Sequence, residues 1–316
     1  MSDDPRSAWP ELPSARLQPT AETLRLWSQI VGKVRLVRTP WINHSWHVTL
    51  RVSARGLVTP LIPNGATAFS LEFDFVSQEL VIRVTDGAER RLALTPGSIA
   101  RFYAEVMAAL AAVGVDLAID PTPAEAPVAV PFPQDVAPRP YDAATAQAFW
   151  RALVQVDRVF HRFRSRFLGK NSPVHLFWGG FDLAVTRFSG RRAPLHPGGI
   201  PHLSDAVTQE AYSHEVSSAG FWAGGDGVEE ASFYAYAYPT PDGFGAASVQ
   251  PPAARFDSRL GEFLLPYSAV REANDPDEAL LAFLQSTYEA TADLARWDRA
   301  ALECEEGQLG RPRPVG

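Results

Sequence analysis

Apolar residues recur along the chain at two periods, and the switches between them mark out the elements. Residues 21–37 carry Leu26, Trp27, Ile30, Val31 and Val34 at helical spacing. A helix is predicted there, capped by Thr20 and stopped by Pro40. Residues 47–52 alternate polar and apolar, the pattern of a half-buried strand. Phe69, Leu71, Phe73 and Phe75 alternate strictly and fall on one face of the next strand. Further strands are predicted over 80–84 and 91–94, separated by an Asp86-Gly87 turn. Pro96 and Ser98 then open a helix with Ile99, Phe102, Val106, Met107 and Leu110 on its stripe, ended by Gly114.

The same order follows a second time. A helix is predicted over 142–168, with Asp142 as its cap and Phe149, Trp150, Leu153, Val154, Val156 and Phe160 as its apolar positions. Strands are read over 181–188, 214–220, 232–238 and 261–265, and a last helix from Asp275 or Asp277 to Trp297. Residues 190–212, rich in Gly, Pro and His, read as a long loop with the composition of a lid. The fold class is therefore α+β, in two similar α-β4-α halves built mainly of antiparallel sheet with helices packed on it.

Residues 120–140 hold seven prolines and three acids, the mark of an extended linker. The expected division is a first half over 1–119, the linker, a second half over 141–303 and a disordered tail over 304–316. Local sequence repeats as well. Leu26-Trp27-x-x-Ile30-Val31 matches Phe149-Trp150-x-x-Leu153-Val154, and Gly32-Lys33 matches Gly169-Lys170. A proline and a His/Trp cluster follow in each half: Pro40 with His44, Trp46 and His47, and Pro173 with His175 and Trp178. A duplication about a pseudo-two-fold axis accounts for this; chance sharing of motifs by two α+β halves is the alternative. An axis of that kind would bring the two His/Trp segments together.

Charge sharpens the picture. The chain of 316 residues has net charge −7, which argues against a nucleic-acid partner. Yet residues 25–55 hold six basic side chains and no acid, and residues 151–192 hold nine against Asp157 and Asp182. Solvated helix faces with internal ion pairs explain this blandly; a local anion site is the sharper reading. Only Lys33 and Lys170 among the 29 basic residues are lysines. Each suits either a helix-end cation or a functional amine, as an anion contact or an imine-forming nucleophile. Cys304, the single cysteine, can make no internal disulfide. That, with no apolar run after a basic N-terminal segment and no stretch of about 18 apolar residues, points to the cytoplasm and away from a membrane.

The candidate chemistry is diffuse. His44, His47, His175 and His214 are the candidate acid–base groups, since imidazole titrates near neutrality. Lys33, Arg38, Lys170, Arg187 and Arg191 are candidate anion contacts, and Trp46, Trp178 and Tyr234 candidate walls of an apolar pocket. His44 and His47 have a spacing that can reach one metal, with His175, His214, Glu215 or Asp182 as remote further ligands, but no metal motif accompanies them and no metal is assigned. Nucleophile-elbow, dinucleotide and Walker fingerprints are absent, so no cofactor is named.

Three strings, residues 40–47 (PWINHSWH), 188–192 (FSGRR) and 212–218 (YSHEVSS), resemble a family of bacterial proteins called domain of unknown function 5996, over about residues 8–303. The resemblance implies one full-length unit and brings no activity or site residue with it. The expectation taken to the structure is a small anionic or aromatic molecule held in a cleft between the halves. A non-enzymatic protein-interaction module, presenting Tyr234, Tyr236 and Tyr238 on an exposed strand face, is the alternative.

Overall fold

Strict alternation of Phe69, Leu71 and Phe73 produces strand β4 (Thr67–Asp74), and these rings are almost fully buried. Around β4 a computed structural model, describing residues 5–126, 128–225 and 227–313, lays out an antiparallel sheet. β1 (Arg51–Val52), β2 (Gly56–Val58), β4, β5 (Glu79–Val84) and β6 (Glu89–Ala93) follow in order, and β3 (Ile62–Asn64) pairs with the start of β4. The second sheet runs β11 (Arg255–Asp257), β12 (Glu262–Pro266), β10 (Ser232–Tyr238), β9 (His214–Trp222), β8 (Asp182–Arg192), β7 (His175–Phe177), again antiparallel throughout.

The architecture is α+β, as expected, with six strands per sheet where four were read. The extra ones are short: β2, β3, β7 and β11 have three residues each, too few for an alternation to show. The strand expected over 47–52 shrinks to β1, because residues 43–48 form turns in which His44 and Ser45 take left-handed φ of 60° and 57°. Leu50 and Leu176 exchange both backbone hydrogen bonds at 2.9 Å and so join the sheets edge to edge through the first strand of each half. Equivalent strands thus meet at the junction, as a pseudo-two-fold arrangement requires.

Helices cover one face of the joined sheets. α1 (Ser14–Leu36) and α2 (Ile99–Ala111) belong to the first half, and α3 (Ala143–Ser165), α5 (Tyr267–Arg271) and α6 (Pro276–Leu294) to the second. Ser98, Asp142 and Asp275 cap α2, α3 and α6 by accepting backbone N–H bonds. α1 begins seven residues earlier than expected and passes through Pro19, so Thr20 lies inside it and caps nothing. Trp150 and Val154 of α3 are half-buried rather than core. One continuous apolar core runs through both halves, from Trp9 to Trp297. Residues 304–313, read from sequence as a loose tail, lie along α3, where Glu306 meets Arg162 at 2.8 Å and Arg166 at 2.6 Å. Among the described residues no helix is long and apolar enough to cross a membrane.

The opposite faces of the two sheets differ. On the first it is an ion-pair ladder, with Arg83 bonded to Glu72 (2.6 Å) and Glu89 (3.2 Å), and Arg91 to Glu89 and Glu79 (2.7 Å each). On the second, strand parity presents Asp182, Ala184, Thr186 and Phe188 from β8, Val216 and Ser218 from β9, and Tyr234 and Tyr236 from β10. A covering segment lies over them: residues 193–204 and α4 (Asp205–Ala211), which interrupts the loop expected over 190–212.

Parity also sends Arg187 to the core side with Leu183 and Val185. Its guanidinium lies 3.5 Å from the Phe163 ring centre, 4.4 Å from Tyr288 and 5.0 Å from Phe167. Its one hydrogen bond goes to the Phe163 carbonyl; Nε and Nη1 have no partner. Burial pushes its pKa down to about 9. Replacing such a charge by an apolar chain of similar length removes a desolvation cost, whereas truncation opens a hole. Arg187→Met is expected to match the wild type within about 1 kcal/mol, and Arg187→Ala to lose about 3 kcal/mol, in urea unfolding. Equal losses in both variants would mean that the charge itself stabilises the packing of these three rings.

Candidate active site

The hollow between the second sheet and its cover has a volume of about 300 Å³. Its walls are mostly aromatic and aliphatic: Trp41, Trp46 and Val48 from the first half, Phe177, Trp178 and Phe188 from the second, and Ile200, Leu203 and Val207 from the cover. Side chains from both halves therefore line it, and its floor is built from the second sheet together with Glu125 of the linker. Trp178 can lie against α1 because residue 32 is glycine; a Cβ there would come 2.1 Å from the indole, and the indole N–H donates to the Val48 carbonyl at 3.0 Å.

One end of the cavity is acidic. Tyr234 donates to Asp182 Oδ2 at 2.5 Å, reaching across Gly220, where a Cβ would stand 2.3 Å from the phenol oxygen. Beside them the Tyr212 and Tyr236 hydroxyls lie 2.9 Å apart, as do those of Thr186 and Ser218. Glu125 enters from the linker with a left-handed φ of 57°, an unusual conformation for a residue with a side chain. Its segment is clamped from α1. Gln29 and Ala124 exchange two hydrogen bonds (3.0 and 2.8 Å), and Lys33 donates to the Thr122 carbonyl at 2.7 Å. Gly179 leaves room for the carboxylate, whose Oε1 would be 1.8 Å from a Cβ there. Asp182, Glu125, Tyr234 and Tyr236 also border a more open hollow of about 780 Å³, which Glu262, Trp222 and Arg25 line on the far side.

These carboxyls hold their protons unusually well. Desolvation raises Asp182 to about 6, against the opposing hydrogen bond from Tyr234. Desolvation, then repulsion from Asp182, raises Glu125 and Glu262 to about 7. Glu125 has accessible surface because it borders both hollows, yet protein surrounds its carboxyl closely enough to disfavour the charge. Burial drives Tyr234 and Tyr236 well above 10. Among the described residues no arginine or lysine forms an ion pair with Asp182, Glu125 or Glu262. Nor do three or more His, Cys, Asp or Glu side chains converge to hold a metal ion.

His44 closes the other end. Its ring lies against Phe188 (4.7 Å) and Trp46 (5.2 Å), its Nδ1 meets the Ala211 carbonyl at 2.8 Å, and its Nε2 meets Lys170 Nζ at 2.5 Å. Glu210 of α4 accepts from the Trp41 indole (2.8 Å) and the His44 backbone N–H (3.2 Å), tying the cover to the first half. His214 stands behind His44, ring centres 6.3 Å apart.

Of the residues singled out in the sequence, His44, Trp46, Trp178 and Tyr234 line this cavity, and Lys170 and His214 stand beside it. The others lie elsewhere, and local contacts explain why. His47 is buried under Trp41, its Nδ1 accepting from Ile42 N–H at 3.2 Å. His175 is fully buried on Thr49, and desolvation holds it far below its usual pKa. Lys33 serves the linker, with Asp120 3.7 Å away. Arg38 bonds to the Asp116 carbonyl, Arg187 faces the core, and Arg191 pairs with Glu215 at 2.7 Å while bonding the Ala295 and Arg296 carbonyls just past α6. These basic residues do not converge: protein acceptors engage Lys33, Arg38 and Arg191, and strand parity turns Arg187 into the core. Asp182, Glu125, Glu262, Tyr212 and Tyr236 went unrecognised as a group. Parity of Asp182 with Ala184 and Thr186 carried a signal for the first, but nothing local marks a glutamate in a Pro-rich linker.

Among known proteins, one family model, described as a family of unknown function (DUF5996), matches residues 9–304. No curated protein and no solved structure matches the chain.

Proposed function

The chain belongs to the DUF5996 family, whose description states no activity, and from the cavity's own chemistry we propose that it binds a small, largely apolar molecule bearing a basic nitrogen and exchanges a proton with it through Asp182 and Glu125. The observation that carries this is the pair of carboxyls at the floor of an aromatic cavity, both raised toward neutrality by desolvation, which at Glu125 outweighs the opposing charge of Arg25. An apolar hollow with a few convergent polar groups is the usual form of a small-molecule site. A carboxyl titrating near the working pH can both give and take a proton. The aromatic part of the expected ligand fits the walls. An anionic part does not fit the floor, and Lys33, Arg38, Arg187 and Arg191 have their partners elsewhere.

The interaction-module alternative loses its motivation, since the face carrying Tyr234 and Tyr236 lies under the cover, with Tyr234 9% exposed.

The test is calorimetric titration with 2-phenylethylamine and, for comparison, 3-phenylpropionate. The amine is expected to bind at least about tenfold more tightly at about pH 8 than at about pH 5, since it prefers the ionised carboxyls. Asp182→Asn should remove most of that gain. No amine binding, or a carboxylate that binds as well as the amine, would overturn the proposal.

A further inference from the structure

At the opposite end of the cavity, and independently of the acidic floor, the geometry points to a second reactive group: the ε-amine of Lys170, deprotonated by His44, forms an imine with a small aldehyde or ketone. Three features carry this inference. The first is the orientation of the imidazole. Nδ1 faces the Ala211 carbonyl at 2.8 Å, and a carbonyl can only accept, so Nδ1 carries the proton. Nε2 therefore offers a lone pair, and the Lys170 amine meets it at 2.5 Å. The backbone of His44, left-handed at φ 60° and bonded to Glu210, holds the ring in this pose.

The second is the setting of the amine. It faces the Phe188 ring at 4.7 Å and the Trp46 ring at 5.4 Å, and among the described residues no carboxylate pairs with it. Glu210, which acts on it at longer range, is already shared by the Trp41 indole and the His44 N–H. His214 from β9 stands nearby, its own pKa lowered by desolvation and then by the charges of Lys170 and Arg192 of β8. Partial burial lowers the Lys170 pKa, against the opposing charge of Glu210. An amine partly desolvated and set beside a base is activated as a nucleophile.

The third is access. Lys170 is exposed as a residue, so a carbonyl compound can reach it from solution. The two rings beside the amine also line the cavity and give an apolar substituent a surface to lie on. Lys33 lacks all three features: it is 5% exposed and bonded to the linker.

The chemistry needs no redox partner. His44 Nε2 takes a proton from the ammonium, and the freed lone pair forms a C–N bond to the carbonyl carbon. The C=O π pair moves to oxygen, which recovers the proton from the imidazolium to give a carbinolamine still protonated on nitrogen. Nε2 then takes a proton from that nitrogen and passes it to the hydroxyl, and loss of water, driven by the lone pair so freed, gives the protonated imine. In sum, the carbonyl compound and the Lys170 ammonium give the protonated imine and one molecule of water, and His44 ends as it began.

The test is trapping with benzaldehyde and sodium cyanoborohydride across a pH series, with peptide mapping to separate Lys170 from Lys33 and the N-terminal amine. Lys170 is expected to react about tenfold or more faster at neutral pH than the amine of Nα-acetyl-lysine amide, with a rate–pH midpoint below that of the standard. His44→Asn, chosen because asparagine tolerates left-handed backbone, should return rate and midpoint toward the standard, and Lys170→Arg should give no adduct there. If His44→Asn does not fold, the wild-type midpoint against the standard decides alone. A Lys170 rate and midpoint equal to the standard's, or a folded His44→Asn that reacts like the wild type, would overturn the inference.

Discussion

Asparagine at position 182 is expected to flatten the fall of stability with rising pH, so that Asp182→Asn outlasts the wild type by about 3 kcal/mol, or about 5 °C, at about pH 8. The folded protein raises this carboxyl from 3.8 to about 6 by desolvation. The native state therefore holds the proton more tightly than the unfolded chain does. Its contribution is fully present below the unfolded pKa and is lost as pH rises through the folded one, over about pH 4 to 7. Asparagine keeps an oxygen to accept from Tyr234 but never ionises. Repulsion from Asp182 also helps to raise Glu125 and Glu262, so its removal lets both ionise more easily, which reinforces the effect. Calorimetric melting of both proteins from about pH 4 to 8 checks this. The two curves should converge at the acid end and separate steadily above it. Parallel curves would mean that Asp182 is solvated as an ordinary surface carboxylate, and the acidic floor would lose its proton-exchange role.

What the sequence revealed depended on how local each cause was. Ser98, Asp142 and Asp275 cap their helices because capping involves residues three positions apart, and that spacing can be read. β10 was legible to the residue, since a seven-residue alternation leaves no other period open. The repeat of the halves was legible in element order, and the edge junction at Leu50 and Leu176 gives it a spatial counterpart. The strings around residues 40–47 and 212–218 identified the family, but a family without a stated activity adds no chemistry. Charge was misleading for a definite reason: a count along the chain cannot distinguish a free cation from a paired one. Arg158 and Arg162 of α3 reach Asp277 and Glu278 of α6, more than a hundred residues away in sequence, so part of the basic run over 151–192 is an interhelical ion-pair seam. The acidic floor was hidden for the converse reason. Its members come from the linker, β8, β10 and β12, and only folding brings them together. For Lys33 and Lys170 a matched sequence position did not mean a matched environment. The first clamps the linker on a buried helix face, while the second reaches a histidine contributed by the other half.

Valine at position 220 should uncouple the acidic floor while leaving the fold standing. Gly220 lies mid-strand in β9, opposite Tyr234 on one side and Ala184 on the other, with ordinary strand backbone that a β-branched residue adopts readily. Its lack of a side chain is what lets the Tyr234 ring cross the strand. A Cβ would stand 2.3 Å from the phenol oxygen, 2.4 Å from Cζ and 2.5 Å from Cε1, so the ring must swing away and its hydrogen bond to Asp182 must break. Overpacking of this kind costs about 1–3 kcal/mol, within what a domain of this size survives. The consequence for the carboxyl has a definite sign. Donation from Tyr234 opposes the desolvation that raises Asp182, so losing it moves the pKa further up. In Gly220→Val the pH midpoint of 2-phenylethylamine binding should shift upward, and affinity at about pH 7 should fall by about tenfold or more, through the smaller ionised fraction and the displaced ring wall. Gly220→Ala should act in the same direction, since the clash is with Cβ itself. Titration calorimetry over a pH series, with circular dichroism to confirm the fold, separates the outcomes. An unchanged midpoint in a folded variant would show that Asp182 does not depend on Tyr234, and that the tyrosine serves only as a wall between the two hollows.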